Sequence, residues 1–362
     1  GGGNKFTGRL DGAGHTLRGL YINRPHENTQ GLFGYTVGAR IENLSLVDGN
    51  VEGNDSVGGI VGYAQDTVIR NVSYAGRVNG NQIVGGIVGC AWGGSIQNAW
   101  NAGAVSGTGH SAGGIVGYAR EAAKIQNVCN TGAITGNERV GGIVGAIADS
   151  TLQNAWNTGT VTGNQKVGGI VGQALGSSIR HAVWKSGSAG QAVGASSNGA
   201  DVTTDVKFAA EADMKLAATY TDWKDENGNA LVATEGGKGT PWRIYDGKTT
   251  PMLTALMKGT KRLEKTYDGK TFGDGDAHIL SDTPLQKNVG TYDAYSDQFG
   301  YDLIGGAYTI TPKKVTVALK PGVRFDKAYN GSNKTVRILR DIHYTLTGLV
   351  GSDDNLIALT PI

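Results

Sequence analysis

The pentapeptide Gly-Gly-Ile-Val-Gly occurs five times in this chain at almost constant spacing, and that repetition restricts the fold more than any other feature. The copies start at Gly58, Gly85, Gly113, Gly141 and Gly168, with intervals of 27, 28, 28 and 27 residues, and Gly31-Leu32-Phe33-Gly34 is a degenerate earlier copy. A period of roughly 20 to 50 residues marks an architecture in which one unit cannot bury its apolar face without its neighbours.

Two further elements keep the period. One reads Ile41-Glu42-Asn43-Leu44, Ile69-Arg70-Asn71-Val72, Ile96-Gln97-Asn98-Ala99, Ile125-Gln126-Asn127-Val128 and Leu152-Gln153-Asn154-Ala155, and closes with Ile179-Arg180-His181-Ala182. The other is Gly-x-Val/Ile-x-Gly, beginning at Gly49, Gly76, Gly103, Gly132 and Gly159. Each period therefore holds three short β-type segments separated by Gly, Asn and Ser turns, without helical periodicity. Stacking coil upon coil buries Ile and Val in a continuous column and pairs the backbone of adjacent coils. The expected fold is all-β: a right-handed three-sided parallel β-helix of about six coils, each rising roughly 4.8 Å. A mixed capping region with one short helix and small β-sandwich-like modules should follow.

The repeat assigns roles to particular side chains. Asn43, Asn71, Asn98, Asn127 and Asn154 should lie one above another as a polar ladder, which a protein interior tolerates when every member is paired. His181 would close it. Trp100, Trp156 and Trp184 follow the repeat loosely, and Tyr63 and Tyr118 share a slot after Gly-Ile-Val-Gly. Such aromatics either stack between coils or form a sugar-contacting face, with Trp100, Trp156, Tyr63 and Tyr118 as the candidate contacts. Cys90 and Cys129 occupy different slots and read as two small buried residues, with a disulfide or metal site as the alternative.

Composition agrees with an ordered β protein. Glycine supplies 60 of 362 residues without a Gly-X-Y period, which excludes collagen. Hydrophobic residues make up 39% and charged residues 18%, too apolar for a disordered chain. A net charge of +2, with scattered Lys and Arg, gives no reason to expect nucleic acid or an anionic membrane as partner. No apolar run reaches the roughly 18 residues of a membrane span. The chain begins Gly1-Gly2-Gly3 and ends in mid-pattern at Ile362, so it reads as a piece of something longer.

Outside the array the texture changes. Phe6 to Ile22 alternates and is turn-rich, as a first coil would be, and Asp11-Gly12-Ala13-Gly14-His15 reads as a tight turn rather than a metal site. Phe208 to Tyr220 is the one convincing helical stretch, suited to covering an open solenoid end that would otherwise expose strand edges. Trp223, Trp242-Arg243-Ile244-Tyr245 and Pro251-Met252-Leu253 would add to that cap. From about residue 260, Lys265-Thr266-Tyr267-Asp268-Gly269-Lys270 is echoed by Lys327-Ala328-Tyr329-Asn330-Gly331-Ser332, both with hairpin-turn dipeptides. Tyr308-Thr309-Ile310-Thr311-Pro312 and Val315 to Leu319 alternate as strands do. The expected boundaries are 1–186 for the β-helix, 187–257 for linker and cap, 258–313 for one β module and 314–362 for a second, truncated one.

The Gly-Gly-Ile-Val-Gly array with its Ile-x-Asn partner, over roughly residues 5 to 185, resembles the GLUG repeat of bacterial adhesins and other large exported proteins. The Trp242 to Leu253 region resembles the tail that closes such arrays. The Lys-x-Tyr-Asp-Gly and Tyr-Thr-Ile-Thr-Pro segments, with Gly348-Leu349-Val350-Gly351-Ser352-Asp353-Asp354, look like the YDG and MBG modules of filamentous-haemagglutinin-like exoproteins; Asn330 replaces the motif's Asp. This resemblance implies a secreted or cell-surface bacterial adhesin in which these modules are rod and spacer, with no cofactor and no catalytic residues to carry over. Its partners would be a host-cell surface protein, a glycan or other bacterial cells, and the fragment itself would be a monomer that does not insert in a membrane.

Two enzymatic readings compete. A polysaccharide-processing β-helix needs carboxylates and Lys or Arg converging on one face, whereas Asp66, Glu121, Glu138 and Asp149 read as occupying different slots. A zinc protease of the IgA-cleaving kind needs His-Glu-x-x-His, and His26-Glu27 is followed by Asn28-Thr29-Gln30. The chain could still be the non-catalytic repeat region of such a protease. Asp274, Asp276, Asp353 and Asp354 read as solvated turn residues rather than calcium ligands.

Overall fold

A computed structural model describes residues 4–273, 278–323 and 344–350. It divides into two units. One comprises residues 1–260 with 297–302, and the other 261–296 with 303–362.

The first unit is built on a parallel β-solenoid of about seven turns. A typical coil runs through Val61–Gln65, Val68–Gly80 and Ile83–Gly85, one strand for each of three parallel sheets. The first sheet has seven strands, from Phe33–Val37 to Val193–Ser197. The repeat keeps the coils in register, so Val61, Val88, Val116, Val144 and Val171 stand side by side. Ile60, Ile87, Ile115, Ile143 and Ile170 are fully buried within the coil stack, as are Val72, Ile69 and Leu152. Arg9–Asp11, Thr16–Arg18 and Tyr21–Asn23 all pair in parallel with Arg40–Glu52 and make the first coil.

The paired glycines are required by contact. A Cβ on Gly113 would fall 2.1 Å from the Val116 carbonyl oxygen of its own turn. One on Gly114 would fall 2.2 Å from the Gly142 carbonyl oxygen of the next coil and 2.5 Å from Asn130 Cγ. The same pair of conflicts recurs at Gly85 and Gly86, and at Gly141 and Gly142. The first glycine lets the coil turn, and the second lets the coils approach.

Three expectations are corrected here. The array does not stop at 186: Val193–Ser197 pairs with Val171–Leu175, and Asp201–Ala209 with Ser178–Lys185, adding a degenerate coil. Phe208 to Tyr220 is not one helix. The ladder holds the chain as strand through Ala209, and the rest forms two 3-10 turns, Asp213–Lys215 and Ala217–Tyr220, separated by extended Leu216. Burial of Met214 and Tyr220, with Tyr220 Oη donating to the Met214 carbonyl at 2.8 Å, outweighs helix propensity. Finally, the capping residues cover a flank. Trp223, Trp242, Ile244 and Leu253 pack with Met214 and Tyr220 onto Cys129, Trp156 and Val183, outward side chains of the second sheet.

The small sheet of Val232–Ala233, Trp242–Arg243 and Met252–Leu253 forms this flank layer. Buried Arg243 ties it to the 297–302 segment, its Nε donating to Asp302 Oδ1 at 2.8 Å while Gly237 N donates to Asp302 Oδ2 at 2.6 Å.

The second unit holds a three-stranded sheet in the order Thr260–Thr266, Asp302–Thr311, Gly290–Asp293, the last two antiparallel, with two smaller antiparallel pairings. Phe272 and Tyr308 are buried in it, their ring centres 4.5 Å apart. Asp268 Oδ1 accepts from Lys265 Nζ and from the Lys270 amide, which sets the Asp268-Gly269 turn. The Lys327 to Ser332 echo, Asp274, Asp276, Asp353 and Asp354 lie outside the described residues.

Candidate functional site

Six successive coils bend at the Ile-x-Asn position, with His in the last of them. Asn43, Asn71, Asn98, Asn127, Asn154 and then His181 hold φ between 51° and 56°, a left-handed geometry that Asn accepts more readily than most residues. Their side chains form a continuous ladder. Asn71 Nδ2 donates to Asn43 Oδ1 and Asn98 Nδ2 to Asn71 Oδ1, both at 2.8 Å. Asn127 donates to Asn98 at 3.2 Å and Asn154 to Asn127 at 3.1 Å. Asp11, which sequence reading left out, terminates the ladder: its Oδ1 accepts from Asn43 Nδ2 at 2.9 Å. That bond, with one from the Ala13 amide, holds the Asp11 carboxyl below its ordinary pKa. At the far end His181 Nδ1 lies 3.3 Å from Asn154 Oδ1, so the donor order requires a proton on Nδ1.

A second ladder runs inside the stack. Asn101 donates to Asn130, and Asn130 to Asn157, both at 2.8 Å, and all three side chains also bond backbone two residues on. Asn157 Nδ2 ends it on the Gly169 carbonyl at 3.1 Å. These residues have no exposed surface. Tyr74 and Trp184 occupy the same slot in the flanking coils.

The bend separates two outward columns on the second sheet. One is Arg70, Gln97, Gln126, Gln153, Arg180; the other is Ser73, Trp100, Cys129, Trp156, Val183. Trp184 falls one position out of register with Trp156, so strand alternation turns it inward. The flank layer sits on the second column, with Trp156 Nε1 donating to the Pro251 carbonyl at 3.1 Å.

Where that layer meets the solenoid, a cleft of about 500 Å³ opens. Trp100, Trp156, Thr131 and Thr158 line its solenoid side, and Lys215, Thr249, Pro251 and Met252 the other. Trp100 Nε1 donates to Thr131 Oγ1 at 3.2 Å, and its ring packs on Phe299 with centres 5.3 Å apart. Lys185 and Glu211 pair at 3.6 Å on the rim. Gln298 is clamped by Leu253, accepting from its amide at 2.8 Å and donating to its carbonyl at 2.9 Å. A second cleft, of about 590 Å³, follows the other column and is lined by Gln97, Gln126, Gln153, Arg180 and Asp225 among others.

The four candidate aromatics do not form one face. Trp100 and Trp156 belong to the 500 Å³ cleft, whereas Tyr63 and Tyr118 lie on the first sheet with Cys90 between them. Tyr63 packs edge-on against Tyr35 at 4.9 Å, and burial pushes its hydroxyl up to about 12. Both cysteines are free and buried; burial pushes Cys90 up to about 12 and Cys129 well above the usual thiol range. Asp66, Glu121 and Asp149 do not occupy different slots: all three stand at the left-handed corner between the first and second sheets, with Gly93 and Gly176 there in other coils. The corner recurs from coil to coil, and the variety of residues that fill it, Asp, Gly and Glu, disguises it in the sequence. Glu138 is elsewhere, and hydrogen bonds from Lys166 and His110 bring its carboxyl down to about 2.

Among the described residues, no three or more of His, Cys, Asp and Glu gather in a metal-binding arrangement, and no helix is long and apolar enough to cross a membrane. These features define the class: a parallel β-solenoid with two asparagine ladders, one of them interior, and a flank-packed appendage. No family model matches the chain. Over 73 residues, a fifth of the chain, it is 44% identical to Halomucin from Haloquadratum walsbyi, of whose length it spans about 1%. A crystal structure from Bacteroides ovatus, provisionally described as an immunoglobulin A1 protease, aligns over 61% of this chain and 76% of its own at 20% identity and a TM-score of 0.41.

Proposed function

We propose that this chain is a structural and adhesive segment of a secreted bacterial surface protein. In this reading the solenoid is a GLUG-type rod and spacer, and the second unit is of the YDG and MBG kind. It performs no catalysis, needs no cofactor and acts as a monomer. Its partners are a host-cell surface protein, a glycan or neighbouring bacterial cells.

The observation that carries the reading is the unbroken Asp11 to His181 ladder. It spends the repeat's chemistry on joining coils rather than on presenting reactive groups, as a spacer requires. The short likeness to Halomucin supports a surface location. The test applies the full chain to glycan arrays, host cells and bacterial cells, and incubates it with a panel of polysaccharides. Saturable binding without turnover agrees with the proposal. Release of shortened saccharides, or no binding on any surface, contradicts the adhesive, non-catalytic reading.

A further inference from the structure

The cleft between the second sheet and the flank layer combines groups that the rod does not need. Stacking of the coils places Thr131, Thr158 and Lys185 in one column, because each follows a residue of the Asn130, Asn157, Trp184 register. The Trp100, Cys129, Trp156 column runs beside it. A ligand lying along the solenoid axis would therefore meet a hydroxyl or an ammonium every roughly 4.8 Å, next to an indole wall. The space, about 500 Å³, lies within the range of small-ligand sites.

The charges are unequal. Among the described residues, Lys185 and Lys215 line the cleft against Glu211 alone. Glu211 pairs with Lys185 at 3.6 Å, which among the described residues leaves the Lys215 ammonium as the uncompensated cation of the cleft. Trp100 is half-buried and keeps part of its ring toward the space. Flat apolar surface, hydroxyl partners and one surplus cation suit a pyranose ring that carries a carboxylate. The ring's C–H face would lie on Trp100, its hydroxyls would bond Thr131 and Thr158, and its carboxylate would make a charge-assisted bond to Lys215.

We infer that this cleft binds an acidic sugar, of the uronic or sialic type, at or near a glycan terminus. The inference rests on the adhesive reading above and gives it a place and a ligand class. Its test is calorimetric titration of the full chain with trigalacturonate and with 3′-sialyllactose, using lactose as the uncharged comparison. At least one acidic probe is expected to bind at least tenfold tighter than lactose and to weaken as salt rises. Lys215→Ala should weaken that probe by about tenfold and leave lactose unchanged, while Lys215→Glu should abolish it. Lys124→Ala, an exposed lysine outside the cleft, should change nothing. Urea midpoints of each variant separate loss of the site from loss of the fold. Equal binding of acidic and neutral probes, or full affinity in Lys215→Glu, overturns the inference. If cells or other glycans bind while all three probes fail, the cleft assignment falls and the adhesive reading stands.

Discussion

Replacing Asn127 removes two distinct contributions to the coil stack. Its Nδ2 donates to Asn98 at 3.2 Å, its Oδ1 accepts from Asn154 at 3.1 Å, and its backbone stands at φ 53°. Two neutral hydrogen bonds are worth about 1–3 kcal/mol together. Alanine in left-handed geometry adds about 1–2 kcal/mol. Asn127→Ala should therefore cost about 2–5 kcal/mol. Asn127→Gly loses the same bonds but not the steric term, and gives up about 0.5–1 kcal/mol of chain entropy. It should be more stable than the alanine variant by up to about 1.5 kcal/mol. Asn127→Asp keeps the shape, yet its carboxylate cannot donate to Asn98 Oδ1. Burial and that facing acceptor raise its folded pKa, so this variant should approach wild type at low pH and lose stability as pH rises through the folded value. Urea unfolding followed by tryptophan fluorescence reads all three, compared at equal slope because solenoids can unfold in parts. The reasoning fails if alanine matches wild type to within about 0.5 kcal/mol, or if alanine is more stable than glycine.

Gly114→Ala places a methyl 2.2 Å from a backbone oxygen of the next coil, so it should cost about 3 kcal/mol or more, while Gly190→Ala, with nothing within 4 Å, should be neutral in the same urea assay. Asp302→Ala leaves the buried Arg243 guanidinium without its carboxylate and should cost about 3–5 kcal/mol; the double variant Arg243→Met with Asp302→Leu should recover much of that in thermal melts. Glu138, held down to about 2 by Lys166 and His110, adds stability that is fully present above its ordinary value of 4.5 and is lost as pH falls toward 2. Glu138→Gln should therefore flatten the acid-side decline of the melting temperature across that window.

The coil architecture was legible because its causes repeat. Gly-Gly, Ile-Val and Ile-x-Asn recur at one period, and each recurrence marks a close approach, a core position or a left-handed bend. The second ladder was less visible because only three coils carry it. Asn101, Asn130 and Asn157 each stand three residues beyond the first ladder's member, a spacing present in the sequence but interrupted by Tyr74 and Trp184 in the same slot. Aromatic placement depended on parity: Trp156 and Trp184 look equivalent by period, yet a shift of one residue sends one outward and the other inward. The residues from 187 to 257 carry no repeat to fix their register. Ala-rich Phe208 to Tyr220 therefore read as a helix, although pairing with the preceding coil and burial of Met214 and Tyr220 decide its conformation. The cleft was equally hidden, because Lys215 and Pro251 reach Trp100 and Trp156 only through packing on the flank.

The account rests on coils joined by amide ladders at the bend and in the interior, and hydrogen exchange of the asparagine side-chain amides tests this most directly. Exposed Asn81, Asn137 and Asn164 also bond between coils but remain open to water, which makes them internal references. Asn101, Asn130 and Asn157, and next to them Asn127 and Asn154, should exchange slowly, on the scale of the core backbone amides. Exchange of these five at the rate of the exposed three would contradict a solenoid held together from within.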